Sequence, residues 1–123
     1  MSQLQNEANC IFCKIVRGEI PAKKVYEDDE VIAFNDIRPQ APVHILLVPK
    51  AHVATLYDAL PAHQSALGKM LAVAGRLARE AGAVDGFRTI INNGRVGHQE
   101  VYHVHMHVLG GPEPLGPMLS RRK

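Results

Sequence analysis

No apolar run in the sequence approaches the roughly 18 to 20 residues that a bilayer-spanning helix requires. Nor do the first nine residues, Met1 to Asn9, contain a basic segment followed by an apolar block. The first absence argues against a membrane partner and the second against secretion, so a soluble chain in the reducing cytoplasm is expected. The presence of only two cysteines agrees with that compartment. A strong charge of either sign is also missing. A formal net charge of +2, with signs mixed along the chain, provides no basic stripe for a nucleic-acid backbone and leaves a single nucleotide open as a ligand. What remains is ordinary for a globular protein: 123 residues, 46% hydrophobic and 21% charged, enough for one domain with a core of its own.

Residues 1–9 are polar and expected to be flexible. Ile11, Phe12, Ile15 and Val16 recur at helical spacing and predict one short helix, ended by Gly18 and Pro21. Lys24 to Glu27 and Val31 to Phe34, separated by Asp28-Asp29-Glu30, predict an antiparallel hairpin. The prolines of Asp36 to Pro42 make that stretch a loop, and Val43 to Val48 follow as an apolar strand ended by Pro49. From Pro61 to Ala81 the positions Leu67, Met70, Leu71, Ala74, Leu77, Ala78 and Ala81 keep a helical period. Pro61 suits the first turn and Gly82 the C-terminal cap. Gly68, Ala72 and Gly75 form a stripe of small residues on that helix, which another backbone could approach closely, from the chain's own sheet or from a second copy. Arg88 to Asn92 predict a strand and Asn93 to Glu100 a loop. The domain proper is expected over 10–111, with 112–123, three prolines and a basic end, as a tail that is ordered only if it docks.

The run Val101-Tyr102-His103-Val104-His105-Met106-His107-Val108-Leu109, closed by Gly110-Gly111, is the most informative stretch. In a strand, alternation puts the three imidazoles on one face and Tyr102, Val104, Met106 and Val108 on the other, toward the core. Same-face neighbours then stand roughly 6 to 7 Å apart, so a central imidazole can meet a ligand while the other two assist. Three uses compete: metal ligation, which recruits further ligands; nucleophilic attack by a neutral imidazole on phosphorus; and plain solvation on an exposed face. His105, at the centre, is the candidate reactive group.

Together with Ile11-Phe12, Lys14-Ile15, Glu19-Ile20-Pro21, Phe34-Asn35-Asp36-Ile37, Pro39-Gln40-Ala41-Pro42 and His44, the stretch Tyr102 to Gly111 resembles the histidine-triad superfamily, in its nucleotide-binding branch of purine nucleoside phosphoramidases. The similarity spans nearly all of residues 10–119, and Leu115-Gly116-Pro117-Met118-Leu119 is similar to the ending of bacterial members. The resemblance implies an α+β fold with a five-stranded antiparallel sheet, one long and one short helix, and a homodimer whose two sheets form one. It implies hydrolysis of purine nucleoside 5′-phosphoramidates, of the adenosine 5′-monophosphoramidate type, through a covalent nucleotidyl-histidine on His105. His107 would contact the phosphate oxygens, and His44 and His103 would complete the imidazole set. Asp36 would accept both ribose hydroxyls, which suits a charged carboxylate. Ile11, Phe12, Ile15, Phe34, Asn35 and Ile37 would line the nucleoside site, and no cofactor would be required for catalysis. The alternatives are a dinucleoside polyphosphate hydrolase of the same superfamily and a non-catalytic nucleotide-binding or interaction module.

No lysine or arginine lies in the histidine run, so neutral donors must bind the phosphate. Asn92, Gln99 and the amides around Gly97 are the candidates. The chain departs from the family at two nearby positions. His98 replaces a second glycine, which matters if that site needs a positive φ. Glu100 stands where animal members carry a serine that assists the leaving group. The chain has no tryptophan, whereas animal members place one, near their C-terminus, by the partner's active site.

Cys10-Ile11-Phe12-Cys13 has the spacing of half a zinc shell and could equally be two free thiols or a redox pair. Some bacterial histidine-triad proteins and the related galactose-phosphate uridylyltransferases look similar here. That resemblance implies a structural zinc held by Cys10, Cys13, His52 and His103, which would withdraw His103 from acid-base work.

Overall fold

The structure is a computed structural model that describes residues 8–117. Residues 1–7 of the N-terminal segment, and Met118, Leu119 and the basic end of the tail, lie outside the described residues. The helix expected near the start is α1 (Ile11–Val16). Cys10 caps it, its Sγ accepting from the Cys13 amide at 3.4 Å, and Gly18, with φ +79°, follows its end.

The hairpin comprises β1 (Lys24–Glu27) and β2 (Val31–Asn35). Asp28 shapes its turn. One carboxylate oxygen accepts from the amides of Glu30 and Val31 at 2.7 and 2.8 Å, and the other from the Tyr26 hydroxyl at 2.6 Å. That hydroxyl is the main reason the carboxyl is held down to about 2. Next come β3 (Val43–Pro49), α2 (Gln64–Glu80), β4 (Phe87–Ile91) and β5 (Met106–Gly110). All strand pairs are antiparallel, in the order β1-β2-β3-β5-β4. The α+β fold with one short and one long helix is therefore as expected.

Side-chain alternation explains the two cores. Val31 and Ala33 of β2, Val43, Ile45 and Leu47 of β3, and Met106 and Val108 of β5 face α2, meeting Met70, Ala74, Leu77 and Ala78. The opposite residues, Ile32, Phe34, Leu46 and Val48, pack on Cys10, Phe12, Cys13 and Ile15 beside α1. β3, at the centre, is buried along its whole length. Lys69 of α2 reaches the carboxylates of Asp28, Asp29 and Glu30 and ties the hairpin turn to the helix.

Three sequence expectations change. The long helix begins at Gln64, because Pro61 to His63 form a separate 3-10 turn. β4 is shifted one residue earlier than expected, leaving Asn92 outside it. The third change bears on function: the histidine run is not one strand. Pairing with β3 and β4 begins only at Met106, opposite Leu47 and Ile91, so His103 and His105 precede β5 and only His107 lies within it. Beyond those positions neither neighbour continues alongside; residues 101–103 bend, and 101–105 are held by isolated hydrogen bonds.

On α2, Leu71 breaks the expected apolar set, being 63% exposed. It shares a helix face with Gly68, Ala72 and Gly75. Space around Gly68 is open, while a side chain at Gly75 would touch the Phe87 ring. The described part of the tail docks, since the Arg88 guanidinium donates to the Gly116 carbonyl.

Candidate functional site

Two histidine clusters meet beside α1, and hydrogen bonds to groups of fixed polarity decide what each can do. A backbone amide can only donate and a carbonyl can only accept, so such partners identify which ring nitrogen of a neutral histidine carries the proton.

The first cluster brings Cys10 and Cys13, at the start of α1, against His52, just beyond β3, and His103. Cys10 Sγ lies 3.3 Å from His103 Nδ1, and Cys13 Sγ lies 3.3 Å from His52 Nδ1 and 3.6 Å from His103 Nδ1. The four ligand atoms lie within 4.8 Å of one another. His103 donates from Nε2 to the Pro49 carbonyl at 2.7 Å, which leaves the Nδ1 lone pair aimed at the thiols. The ring is fully buried, and burial pushes its pKa down to about 4, so it is neutral at pH 7. Two sulfurs and two imidazole nitrogens converging in this way match the ligand chemistry of a closed tetrahedral metal site. Pro49 is a partner that the sequence did not indicate.

The second cluster is Asp36, His44, His105 and His107. His44 pairs across the sheet with Leu109, and Leu46 with His107, so the two histidines are diagonal neighbours on one face of β3 and β5. The Gln40 amide donates to His44 Nδ1 at 2.9 Å, so the His44 proton resides on Nε2. That Nε2–H donates to His107 Nδ1 at 2.9 Å, with Asp36 Oδ2 3.4 Å from the same nitrogen. The His107 proton is consequently on Nε2. His105 donates from Nδ1 to the His103 carbonyl at 2.8 Å, which leaves its Nε2 lone pair bare. The rings of His105 and His107 are 5.1 Å apart, and Phe12 places its ring edge-on to His105 at the same separation.

Burial lowers the pKa of all three histidines, with His107 pushed down to about 4. The Asp36 carboxylate opposes this at each, and Glu100 opposes it at His105 and His107. At neutral pH the cluster therefore sets a bare imidazole nitrogen beside an imidazole N–H: a nucleophile with a neutral donor for an anion. Asp36, His44 and His107 also have metal-ligating atoms close together. Ligation through His44 Nε2 would turn its Nδ1–H against the Gln40 N–H, so this group suits proton holding and not metal binding.

Other expected site residues separate. Phe12, Ile15 and Phe34 belong to the core, Phe12 meeting Phe34 edge-on at 5.7 Å, whereas Ile11 is 44% and Ile37 91% exposed. Asn35 is exposed at the end of β2, and Asn92 lies one residue past β4. Gly97 packs so tightly on the Asn93 backbone that a side chain would collide with it. His98 does adopt a positive φ, +62°, and stands 3.7 Å from Glu100, both largely exposed. Gln99 departs from expectation, its carboxamide being spent on backbone partners within the loops.

A family model for the HIT domain matches residues 17–113. The purine nucleoside phosphoramidase of Escherichia coli strain K12 is 54% identical over 113 residues, covering 91% of this chain and 94% of that protein. Protein HitA of Neisseria gonorrhoeae is 53% identical over 104 residues, covering 85% and 97% respectively. Among solved structures, a HIT family hydrolase from Legionella pneumophila Philadelphia 1 superposes with a TM-score of 0.82 at 47% identity, covering 89% of this chain and 98% of that one. A histidine triad protein from Clostridium difficile gives 0.81 at 45% identity, covering 95% and 99%.

Proposed function

Because the chain belongs to the HIT domain family, we propose that it is a hydrolase of phosphorus–nitrogen bonds that acts on purine nucleoside 5′-phosphoramidates through His105. The observation that carries this reading is the bond from His105 Nδ1–H to the His103 carbonyl, which keeps Nε2 free on a neutral ring. In the proposed reaction His105 Nε2 attacks the α-phosphorus, and the P–N bond to the amine breaks. The amine departs with a proton taken up from solvent, one that the later hydrolysis returns, leaving the nucleotide bonded to His105 Nε2. Water then cleaves that bond, releasing the nucleoside 5′-monophosphate and restoring the ring. His107 Nε2–H, its proton directed outward by His44, donates to a nonbridging oxygen. Asp36, on the same edge, accepts from the ribose hydroxyls, and the exposed Ile11 and Ile37 flank the base. Asn92 and amides near Gly97 are the proposed neutral phosphate donors, with Glu100 at the rim.

Cys10, Cys13, His52 and His103 would hold a structural zinc, which ties α1 to the segment before β5 and offers no open position for substrate. The Leu71 face of α2 and the edge strand β4 would join a second copy, continuing the sheet. A cytoplasmic location is part of this reading, and no helix among the described residues is long and apolar enough to cross a membrane. The test is incubation with adenosine 5′-phosphoramidate and, separately, with diadenosine polyphosphates. The expected result is release of AMP and ammonia from the first, with a nucleotidyl adduct on His105 in quenched samples. Absence of turnover on the phosphoramidate overturns the proposal.

A further inference from the structure

Residues 101–105 carry both His103 and His105, yet no strand among the described residues pairs with them, so something other than a sheet ladder must hold them. Gln99 is 7% exposed, and both amide hydrogens and one oxygen lone pair of its carboxamide are engaged by backbone. Its Oε1 accepts from the Gly94 amide at 2.9 Å. Its Nε2 donates to the carbonyls of Ala54 at 2.7 Å and Val101 at 2.9 Å. The same Val101 carbonyl accepts from the His103 amide at 2.9 Å, and the Val104 amide reaches the carbonyl of Val53, next to Ala54, at 2.7 Å. The His103 carbonyl in turn accepts from His105 Nδ1. One buried amide thus joins the loop after β4, the segment following His52, and the start of the histidine run.

We propose that Gln99 is a positioning residue, whose carboxamide clamps the 101–105 segment and thereby sets the tautomer and aim of His105, and that it does not bind phosphate. Its meaning for catalysis rests on the reading of His105 as nucleophile, but the clamp itself does not. A glutamine free to bind phosphate would have to abandon two carbonyls and one amide, each costly to leave unpaired when buried.

Gln99→Met keeps the length and removes the hydrogen bonds. Two-bond nitrogen–proton NMR spectra, recorded where the rings are neutral, report which nitrogen of His105 is protonated. In the wild type the Nδ1–H form dominates, and in the variant a mixture is expected. With adenosine 5′-phosphoramidate, kcat falls about tenfold or more, as for a lost buried hydrogen bond, while KM and AMP affinity change less than about threefold. Should Gln99→Met not fold, Gln99→Asn, which keeps the amide but shortens its reach, carries the same measurements. An unchanged His105 tautomer overturns the proposal. So does a large loss of AMP affinity with kcat preserved, the signature of a phosphate ligand. If the wild type itself shows no turnover, the functional reading fails and the tautomer measurement still decides the clamp.

Discussion

His103 and His105 stand two residues apart in the segment that precedes β5, both buried and both neutral at pH 7, and their free nitrogens differ. His103 gives its Nε2 proton to the Pro49 carbonyl and presents Nδ1 to two thiols. His105 gives its Nδ1 proton to the His103 carbonyl and leaves Nε2 free. Residue type and burial are the same, so the reachable backbone carbonyl makes the difference. Which nitrogen each ring leaves free is set by the acceptor that fixes its tautomer, and the alternation of histidines alone does not set it.

The sharpest way to break the comparison is to remove each role separately. His105→Ala is expected to lower phosphoramidate turnover by about three orders of magnitude or more, as loss of a nucleophile does, without changing metal content. Cys10→Ser with Cys13→Ser should instead reduce bound zinc, measured by elemental analysis, from about one per chain toward zero. The unfolding midpoint should fall, and turnover per folded molecule should stay within about tenfold of wild type. If losing the thiols stops turnover as fully as losing His105, the two clusters act as one. A smaller effect is expected from His44→Ala, which deprives His107 of the donor that directs its proton. A loss in kcat of about a hundredfold at most is the scale for one misdirected hydrogen-bond donor, measured by steady-state kinetics.

The smallest effect is a matter of pH. The folded chain holds His107 neutral, so that it accepts a proton only near pH 4, whereas an unfolded histidine does so at about 6.5. Between those values the unfolded chain binds more protons, so stability is fully present above about pH 6.5 and declines as the pH falls toward about 4. Urea unfolding at stepped pH measures the decline. The His105 pKa is also lowered by burial, so the acid limb of turnover should lie below that of a free imidazole.

The elements most legible in the sequence were those with a strong local period. α1, the Asp28 hairpin and β3 lie where spacing and turn residues put them, and α2 differs only at its first turn. The histidine run was misread as a strand because alternation of Val, His and Met persists where no neighbour pairs with it, and periodicity cannot report a missing partner. Gln99 is a related case: a glutamine in a loop looks free until its acceptors, Ala54 and Val101, are seen beside it. Asp36 and His44 were both candidates, but their mutual approach and the Gln40 amide that orients His44 carry no sequence signal.

By itself the sequence determined the α+β class, the family resemblance through its ordered motifs, and the inventory of histidines and cysteines from which a site could be built. Covalent order and side-chain period suffice for these. Only the tertiary structure brought the ligand atoms of Cys10, Cys13, His52 and His103, a set the resemblance had implied, within 4.8 Å of one another, set Asp36 beside His44 and His107, and decided which nitrogen each ring leaves free. Those outcomes depend on carbonyls and amides distant in sequence, whose positions exist only once the sheet has closed around them.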